Sequence, residues 1–251
     1  MIINEFIIKN GDYNIDCNLY HPFIQKEKAE KIILACHGFD SSKNSDKIHT
    51  MAKYAERYDI PVISFNWPSH GNSIQPLTVE GCIDVLHKVE ETIYSMYPNA
   101  KIILYGSSFG GYMLLLYLSR HKSSFIDKRC DSVFLKSPAI KMNEIFKNEL
   151  IDEEIQDFRQ RGYTIKNRNK KMKIPYQFYK ELNENIIKPE DIDQISQKIF
   201  VFHGTNDEVA SIKAVKAIQG ENITLIELKD APHSFDGKYF ERMIEEMFHN
   251  I

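Results

Sequence analysis

The chain has 251 residues, of which 43% are hydrophobic and 27% are charged, and its formal net charge is −3. This length allows one large α/β domain with a buried core, so we expect residues 1–251 to form a single domain. The composition excludes a disordered chain, and the slightly acidic balance gives no reason to expect a polyanionic partner.

The chain begins with two segments in which apolar and polar residues alternate, and these predict an antiparallel β-hairpin. They are residues 4–9 and 13–20, on either side of the turn sequence Asn10-Gly11-Asp12. Six short apolar runs follow, each bounded by Gly, Pro, Asn or Asp, as is typical of buried parallel strands. These runs are residues 31–36, 61–65, 101–105, 132–135, 198–202 and 224–228.

Between the apolar runs lie helix-length segments with apolar residues at spacings of three and four, which predict amphipathic helices. They are residues 45–56, 79–97, 109–120, 209–218 and 237–249. The alternation of strands and helices predicts an α/β fold with a doubly wound, mostly parallel sheet. In such a sheet reactive groups collect in loops at the carboxyl ends of the strands, where helix N-termini offer N–H groups.

One long stretch, from about residue 139 to residue 197, interrupts the alternation. Almost 60 residues is far longer than a plain connection between strands, so we predict an inserted lid over 139–197. Within it, Gly162–Ile165 and Met172–Tyr176 predict a small hairpin. Six aromatic residues of the lid could line a substrate pocket or simply pack within the lid: Phe146, Phe158, Tyr163, Tyr176, Phe178 and Tyr179.

The sequence also bears on location. No apolar run reaches the roughly 18 to 20 residues of a membrane span, so we expect none. The residues Met1 to Lys9 lack the pattern of a signal peptide. The four cysteines, Cys17, Cys36, Cys82 and Cys130, are scattered without metal-ligand spacing, so we expect reduced, mostly buried thiols. Together these features predict a cytoplasmic protein.

The strongest chemical signal is the sequence Gly106-Ser-Ser-Phe-Gly-Gly111, which fits G-x-S-x-G between a predicted strand and a predicted helix. Such a turn is typical of a nucleophile elbow, in which small residues let strand and helix close around a serine in strained geometry. Ser108 is then the candidate nucleophile. The Phe109 amide, at the helix N-terminus, is a candidate donor to an oxyanion. The alternative is a glycine-rich turn that only packs a helix on a strand.

A serine hydroxyl needs a base, and the base needs a carboxylate to orient it. His233 lies in the polar loop between the last predicted strand and the terminal helix, which makes it the candidate base; the alternative is an ordinary exposed histidine. Asp207, in the loop after the penultimate strand, is the candidate acid. Less favoured acids are Glu208, Asp230 and Asp236.

A second oxyanion donor is expected in the loop after the strand at residues 31–36. Gly38 allows close backbone approach there, and we predict that the Phe39 amide acts together with that of Phe109. His37 is interpreted as a residue that orients this loop rather than as a base.

Five motifs occur in an order that resembles the α/β hydrolases. They are His37-Gly-Phe39, Pro68-Ser-His-Gly-Asn-Ser73, Gly106-Ser-Ser-Phe-Gly-Gly111, His203-Gly-Thr-Asn-Asp207 and Pro232-His233. The resemblance extends from about Lys31 to the C-terminus outside the lid, and it implies an α/β-hydrolase fold and a serine hydrolase. Size, N-terminal hairpin and lid are most similar to the small bacterial carboxylesterases that include the cinnamoyl and feruloyl esterases.

The resulting hypothesis is a carboxylesterase that acts on a small-molecule ester through an acyl-Ser108 intermediate. It needs no metal and no organic cofactor. The same triad serves thioesterases and peptidases, so these stay open, as does a weakly catalytic ligand-binding homologue. We expect no nucleic-acid partner, because a solvated hairpin explains the basic run Lys166–Lys173 more simply. The sequence allows a homodimer.

Overall fold

The computed structural model describes residues 1–21, 29–121, 128–150, 152–167, 171–218 and 220–251. Its strands are β1 (Ile2–Asn10), β2 (Tyr13–His21), β3 (Lys31–Cys36), β4 (Val62–Phe65), β5 (Lys101–Ser107), β6 (Cys130–Lys136), β7 (Tyr163–Asn167), β8 (Lys171–Pro175), β9 (Lys198–Gly204) and β10 (Ile223–Leu228). Its helices are α1 (Asp46–Ala55), α2 (Val79–Met96), α3 (Phe109–Arg120), α4 (Met142–Asn148), α5 (Asp152–Arg161), α6 (Tyr176–Glu184), α7 (Pro189–Ile192), α8 (Ile212–Ala217) and α9 (Lys238–His249).

Within the described residues, eight strands form one sheet in the order β1-β2-β4-β3-β5-β6-β9-β10. The six strands from β4 to β10 in this order pair in parallel. β2 pairs antiparallel with both β1 and β4, so the predicted N-terminal hairpin forms one edge of the sheet. The predicted mostly parallel sheet is therefore confirmed.

The sheet carries a core on each face, because successive strand side chains point to opposite sides. In β3, Ile32 and Leu34 pack with side chains of α2 and α3. The alternating residues Ile33 and Ala35 pack instead with α1 and α9 on the other face. This arrangement is the doubly wound packing that the sequence predicts. Among the described residues, no helix has both the length and the apolar character that crossing a membrane requires.

The helix predicted over residues 209–218 is shorter than expected, because α8 begins only at Ile212. Asp207 accepts the amide N–H groups of Val209 and Ala210 through its Oδ1, at 3.0 and 2.8 Å, which holds these residues in a turn. Ser211 then acts as N-cap, since its hydroxyl accepts the Lys213 amide at 3.3 Å.

Residues 139–197 form an insertion between β6 and β9, and its described residues include four helices and the antiparallel hairpin β7-β8. The predicted small hairpin is present. Part of the basic run Lys166–Lys173 lies outside the described residues. The insertion is anchored to the core at α6, where the buried Glu181 accepts the Val79 amide at 2.5 Å. The Tyr112 hydroxyl also donates to the Asn185 carbonyl at 2.8 Å.

We predict that Glu181→Ala lowers the free energy of unfolding by about 1 to 3 kcal/mol, because it leaves the buried amide of Val79 without its acceptor. Urea denaturation measures this change. Glu184→Ala is the matched control, since Glu184 ends the same helix and is exposed. Equal stability of the two variants would show that the bond between Glu181 and α2 contributes little.

Candidate active site

Ser108 occupies the sharp turn between β5 and α3. Its backbone has a φ of 50° and a ψ of −112°, which non-glycine residues rarely adopt. Two hydrogen bonds hold this conformation: the Ser108 amide donates to the Lys136 carbonyl at 2.9 Å, and its carbonyl accepts from the Ala139 amide at 3.1 Å. The strained turn is therefore fixed by residues at and beyond the end of β6.

Two glycines allow the strand and the helix to meet at this turn. A Cβ atom on Gly110 would overlap the main-chain oxygen of Cys36 in β3, and one on Gly106 would lie 2.8 Å from the Cα atom of Gly111. Both obstacles are backbone atoms, which cannot move aside as a flexible side chain could. The two glycines of the motif are thus required by the close approach of three backbone segments.

The three residues of the predicted triad form a series in which His233 lies within hydrogen-bond distance of both Ser108 and Asp207. Nε2 of His233 is 3.1 Å from the Ser108 Oγ atom. Nδ1 of the same ring is 3.0 and 2.9 Å from Oδ1 and Oδ2 of Asp207. Three separate loops supply these side chains, each at the carboxyl end of a strand, as parallel sheets favour.

The environment of Asp207 keeps its carboxyl group ionised at neutral pH. Its side chain is only 1% exposed, and burial raises the pKa of its carboxyl group. The hydrogen bond and charge of His233, together with the Ala210 amide, outweigh this effect and lower the pKa to about 2. The carboxylate can therefore hold Nδ1 of the imidazole in its protonated form at neutral pH.

The other carboxylates considered as acids do not contact the imidazole in the same way. Glu208 accepts the main-chain N–H of His233 at 3.3 Å. Asp236 accepts the Ser234 hydroxyl at 2.6 Å and has an exposed side chain. Asp230 is exposed as well.

The two residues predicted to supply oxyanion donors lie beside Ser108. Phe109 is the first residue of α3, where amides have no acceptor within the helix. The loop carrying Phe39 touches the elbow, since a Cβ atom on Gly38 would lie 3.6 Å from Cβ of Ser108. The rings of Phe39 and Phe109 also pack edge to face at 5.6 Å.

His37 and His70 brace this loop. His37 is buried, its Nδ1 lies 2.7 Å from the Gly38 carbonyl oxygen, and its Nε2 accepts the Trp67 amide at 3.4 Å. Burial and the neighbouring His70 hold the pKa of His37 well below its usual range, so the ring is neutral. Nε2 of His70 contacts the Phe39 carbonyl oxygen. His37 thus orients the loop, and within the described residues no hydrogen bond joins its ring to the triad.

The fold and this geometry can be compared with known proteins. The family model for the alpha/beta hydrolase fold matches residues 31–161, more than half of the chain. The chain belongs to the α/β-hydrolase family. The predicted fold class and resemblance are thereby confirmed, and membership of this family supports a hydrolase.

Solved structures agree with this α/β-hydrolase assignment. Est1E from Butyrivibrio proteoclasticus with bound ferulic acid has a TM-score of 0.78 at 18% identity, covering 98% of each chain. Alpha/beta hydrolase domain-containing protein 10 from mouse has a TM-score of 0.72 at 17% identity, covering 98% of this chain and 97% of that one. A serine hydrolase homologue from Coxiella burnetii has a TM-score of 0.66 at 17% identity, covering 99% and 97%. At these identities the similarity is one of fold. No curated protein sequence matches the chain.

A cavity of about 780 Å³ in this α/β hydrolase opens over Ser108 and His233. One wall is apolar and comes from the insertion: Met142, Ile145, Phe146 and Met172. Of the six aromatic residues predicted as pocket wall or lid packing, Phe146 lines the cavity. The others lie outside its lining; Phe158, Tyr176 and Tyr179 pack against one another, and the buried ring of Phe178 stacks on Phe39 at 5.9 Å.

Lys136 is a residue of the site that the motifs did not identify. It ends β6, lines the cavity and is only 3% exposed. Its Nζ atom donates to the main-chain oxygen of His233 at 2.6 Å. The available signal was a lysine at the end of the otherwise apolar run Val133-Phe-Leu-Lys136, directly before a turn.

We predict that Gly110→Ala lowers the free energy of unfolding by about 1 to 3 kcal/mol or more, because the new methyl group overlaps the main chain of β3. Gly38→Ala is the control, since its added methyl would make ordinary contacts at 3.5 and 3.6 Å. Urea unfolding of both variants measures the difference. A Gly110→Ala protein as stable as Gly38→Ala would contradict the close approach described here.

A second prediction concerns pH. The folded pKa of Asp207 is depressed to about 2, so its ionised form stabilises the fold above the ordinary value of 3.8, and this stabilisation is lost as pH falls through 2. The stability advantage of wild type over Asp207→Asn should therefore shrink by about 1 kcal/mol between pH 6 and pH 3. Denaturant titrations at both pH values test this. An advantage that does not change with pH would contradict the depressed pKa.

Proposed function

We propose that the protein is a serine carboxylesterase that cleaves carboxylic esters through an acyl-Ser108 intermediate. The observation that carries the proposal is the unbroken series of short distances from Oγ of Ser108 through the His233 ring to the Asp207 carboxylate. A hydroxyl at its ordinary pKa is a weak nucleophile, and the His233 imidazole, with Nε2 3.1 Å from Oγ, is suitably placed to remove its proton.

In the acylation half of the reaction, His233 accepts the Ser108 proton while Oγ attacks the ester carbonyl carbon. The carbonyl oxygen becomes an oxyanion, which the amides of Phe39 and Phe109 stabilise. The bond to the alcohol then breaks, and the imidazolium gives its proton to the departing oxygen. Asp207 stays ionised throughout, so it stabilises the imidazolium and fixes the tautomer of the ring.

In the deacylation half, a water molecule takes the place of the alcohol. His233 accepts a proton from this water, whose oxygen attacks the acyl carbon, and the same two amides bind the second oxyanion. When the intermediate collapses, the bond to Oγ breaks and His233 returns the proton to Ser108. The products are the carboxylic acid and the regenerated enzyme.

The apolar wall supports an ester with an apolar acyl group. Met142, Ile145, Phe146 and Met172 bring hydrophobic side chains from the insertion to the cavity over Ser108, so the insertion acts as a lid that shapes the acyl pocket. The structurally similar Est1E binds ferulic acid, an aromatic acid. We therefore include hydroxycinnamate esters among the substrates to be tested.

We expect the purified protein to hydrolyse members of a chain-length series of aryl esters, and Ser108→Ala to lose at least about 10³-fold of that activity. A hydroxycinnamate methyl ester and an acyl thioester in the same assay rank the acyl and leaving groups. Ser107→Ala is the matched control, because it removes the neighbouring hydroxyl and should keep most of the activity.

Labelling by a fluorophosphonate probe gives a second measurement that does not depend on choosing the right substrate. The proposal requires that wild type and Ser107→Ala are labelled and that Ser108→Ala is not. A wild type that hydrolyses no ester or thioester and takes up no probe would favour the ligand-binding alternative. Preference for the thioester would point to a thioesterase.

A further inference from the structure

Lys136 is a buried cation at the centre of the site. The main-chain oxygen of Lys136 accepts the Ser108 amide N–H at 2.9 Å, so the backbone of this residue also holds the turn that carries the serine. The side chain is 3% exposed and lies against the ring of Phe235, with 4.7 Å between Nζ and the ring centroid. Buried lysines are uncommon unless a specific partner offsets the loss of water.

The partner is the loop that carries the general base. Nζ of Lys136 donates to the main-chain oxygen of His233 at 2.6 Å, and Glu208 accepts the main-chain N–H of the same residue at 3.3 Å. The backbone of His233 is therefore held from both sides by ionisable side chains. Fixing the peptide groups on either side of its Cα atom limits how far the imidazole can move relative to Oγ of Ser108.

We infer that Lys136 is a positioning residue: its ammonium group anchors the backbone of His233 and keeps the imidazole in reach of Ser108. This inference rests on the proposed function. A shift of about 1 Å in a catalytic group can cost about 100-fold in rate. Loss of one strong hydrogen bond to this loop can therefore lower kcat measurably. An ionised donor strengthens such a bond relative to a neutral one.

The anchor should depend on pH. Burial, together with the nearby ammonium of Lys47, lowers the pKa of Lys136 to about 7, although nearby carboxylates oppose this shift. The charged and titratable groups that face it are Lys47 from α1, His203 from β9, Asp207 and Glu208 from the following loop, and His233 and Asp236 from the loop before α9. As pH rises through about 7, the ammonium becomes a neutral amine and a weaker donor.

The test compares Lys136→Met with wild type on the best ester found. Methionine has a similar length but cannot donate a hydrogen bond. We expect kcat to fall about 10- to 100-fold below pH 7 with KM little changed, and the deficit to shrink towards pH 9. Lys136→Arg, which keeps a charged donor, should recover much of kcat. Lys101→Met is the matched control and should leave kcat unchanged, since it removes an exposed positive charge at the start of β5, at the opposite end of the strand from Ser108.

Stability is measured in parallel. Because the pKa of Lys136 is lower in the folded chain than its usual 10.5, the buried ammonium destabilises the fold below about pH 7, and this penalty is relieved between pH 7 and 10.5. Lys136→Met should therefore melt at or above the wild-type temperature at pH 6. If Lys136→Met does not fold, Lys136→Arg provides the test. Its activity relative to that of wild type should rise from pH 6 to pH 9, because the guanidinium stays charged while the wild-type ammonium loses its proton.

Several results would overturn the inference: an unchanged kcat in Lys136→Met, an effect on KM alone, a deficit that is the same at every pH, or a constant ratio of Lys136→Arg to wild type. Ser108→Ala and the fluorophosphonate probe separate this from failure of the proposed function. An inert and unlabelled wild type refutes the esterase itself, whereas an active wild type with an equally active Lys136→Met refutes only the positioning role.

Discussion

The arrangement of the site depends on how closely three backbone segments approach at the end of β5. Gly110 lets the start of α3 lie directly on the main chain at the end of β3, while β6 holds the strained Ser108 by a main-chain hydrogen bond. A strained residue persists only where its surroundings leave it no alternative. The direction of the serine hydroxyl is therefore a property of the parallel sheet as a whole, not of the motif alone.

The charges of the site follow from the same packing. Asp207 and Lys136 are both removed from water, yet burial has opposite consequences for them. Hydrogen bonds from a main-chain amide and from the imidazole offset the cost of burying the Asp207 carboxylate, which stays ionised. Within the described part of the chain, the Lys136 ammonium donates to one neutral main-chain oxygen, and burial lowers its pKa to about 7. An ionised carboxylate and a lysine that titrates near neutral pH thus lie on either side of His233.

The sequence predicted those features that depend on local pattern. The strands of the sheet are short apolar runs, and the elbow is a strand, a tight turn and a helix in succession, so both were found with errors of a few residues at their ends. The start of α8 was missed because the Asp207 carboxylate caps a turn there, which apolar spacing does not reveal. Lys136 was missed because its partner is 97 residues away, and Phe146 could not be told from the other lid aromatics without their packing.

The anchoring of α6 gives the two parts of the insertion different attachments to the core. From Tyr176 onwards the segment caps α2 through Glu181 and bonds α3 through the Tyr112 hydroxyl. The earlier part supplies the apolar wall of the cavity. Because the wall and these two bonds lie on different segments, a substitution in the wall can reshape the cavity while the bonds to α2 and α3 stay in place.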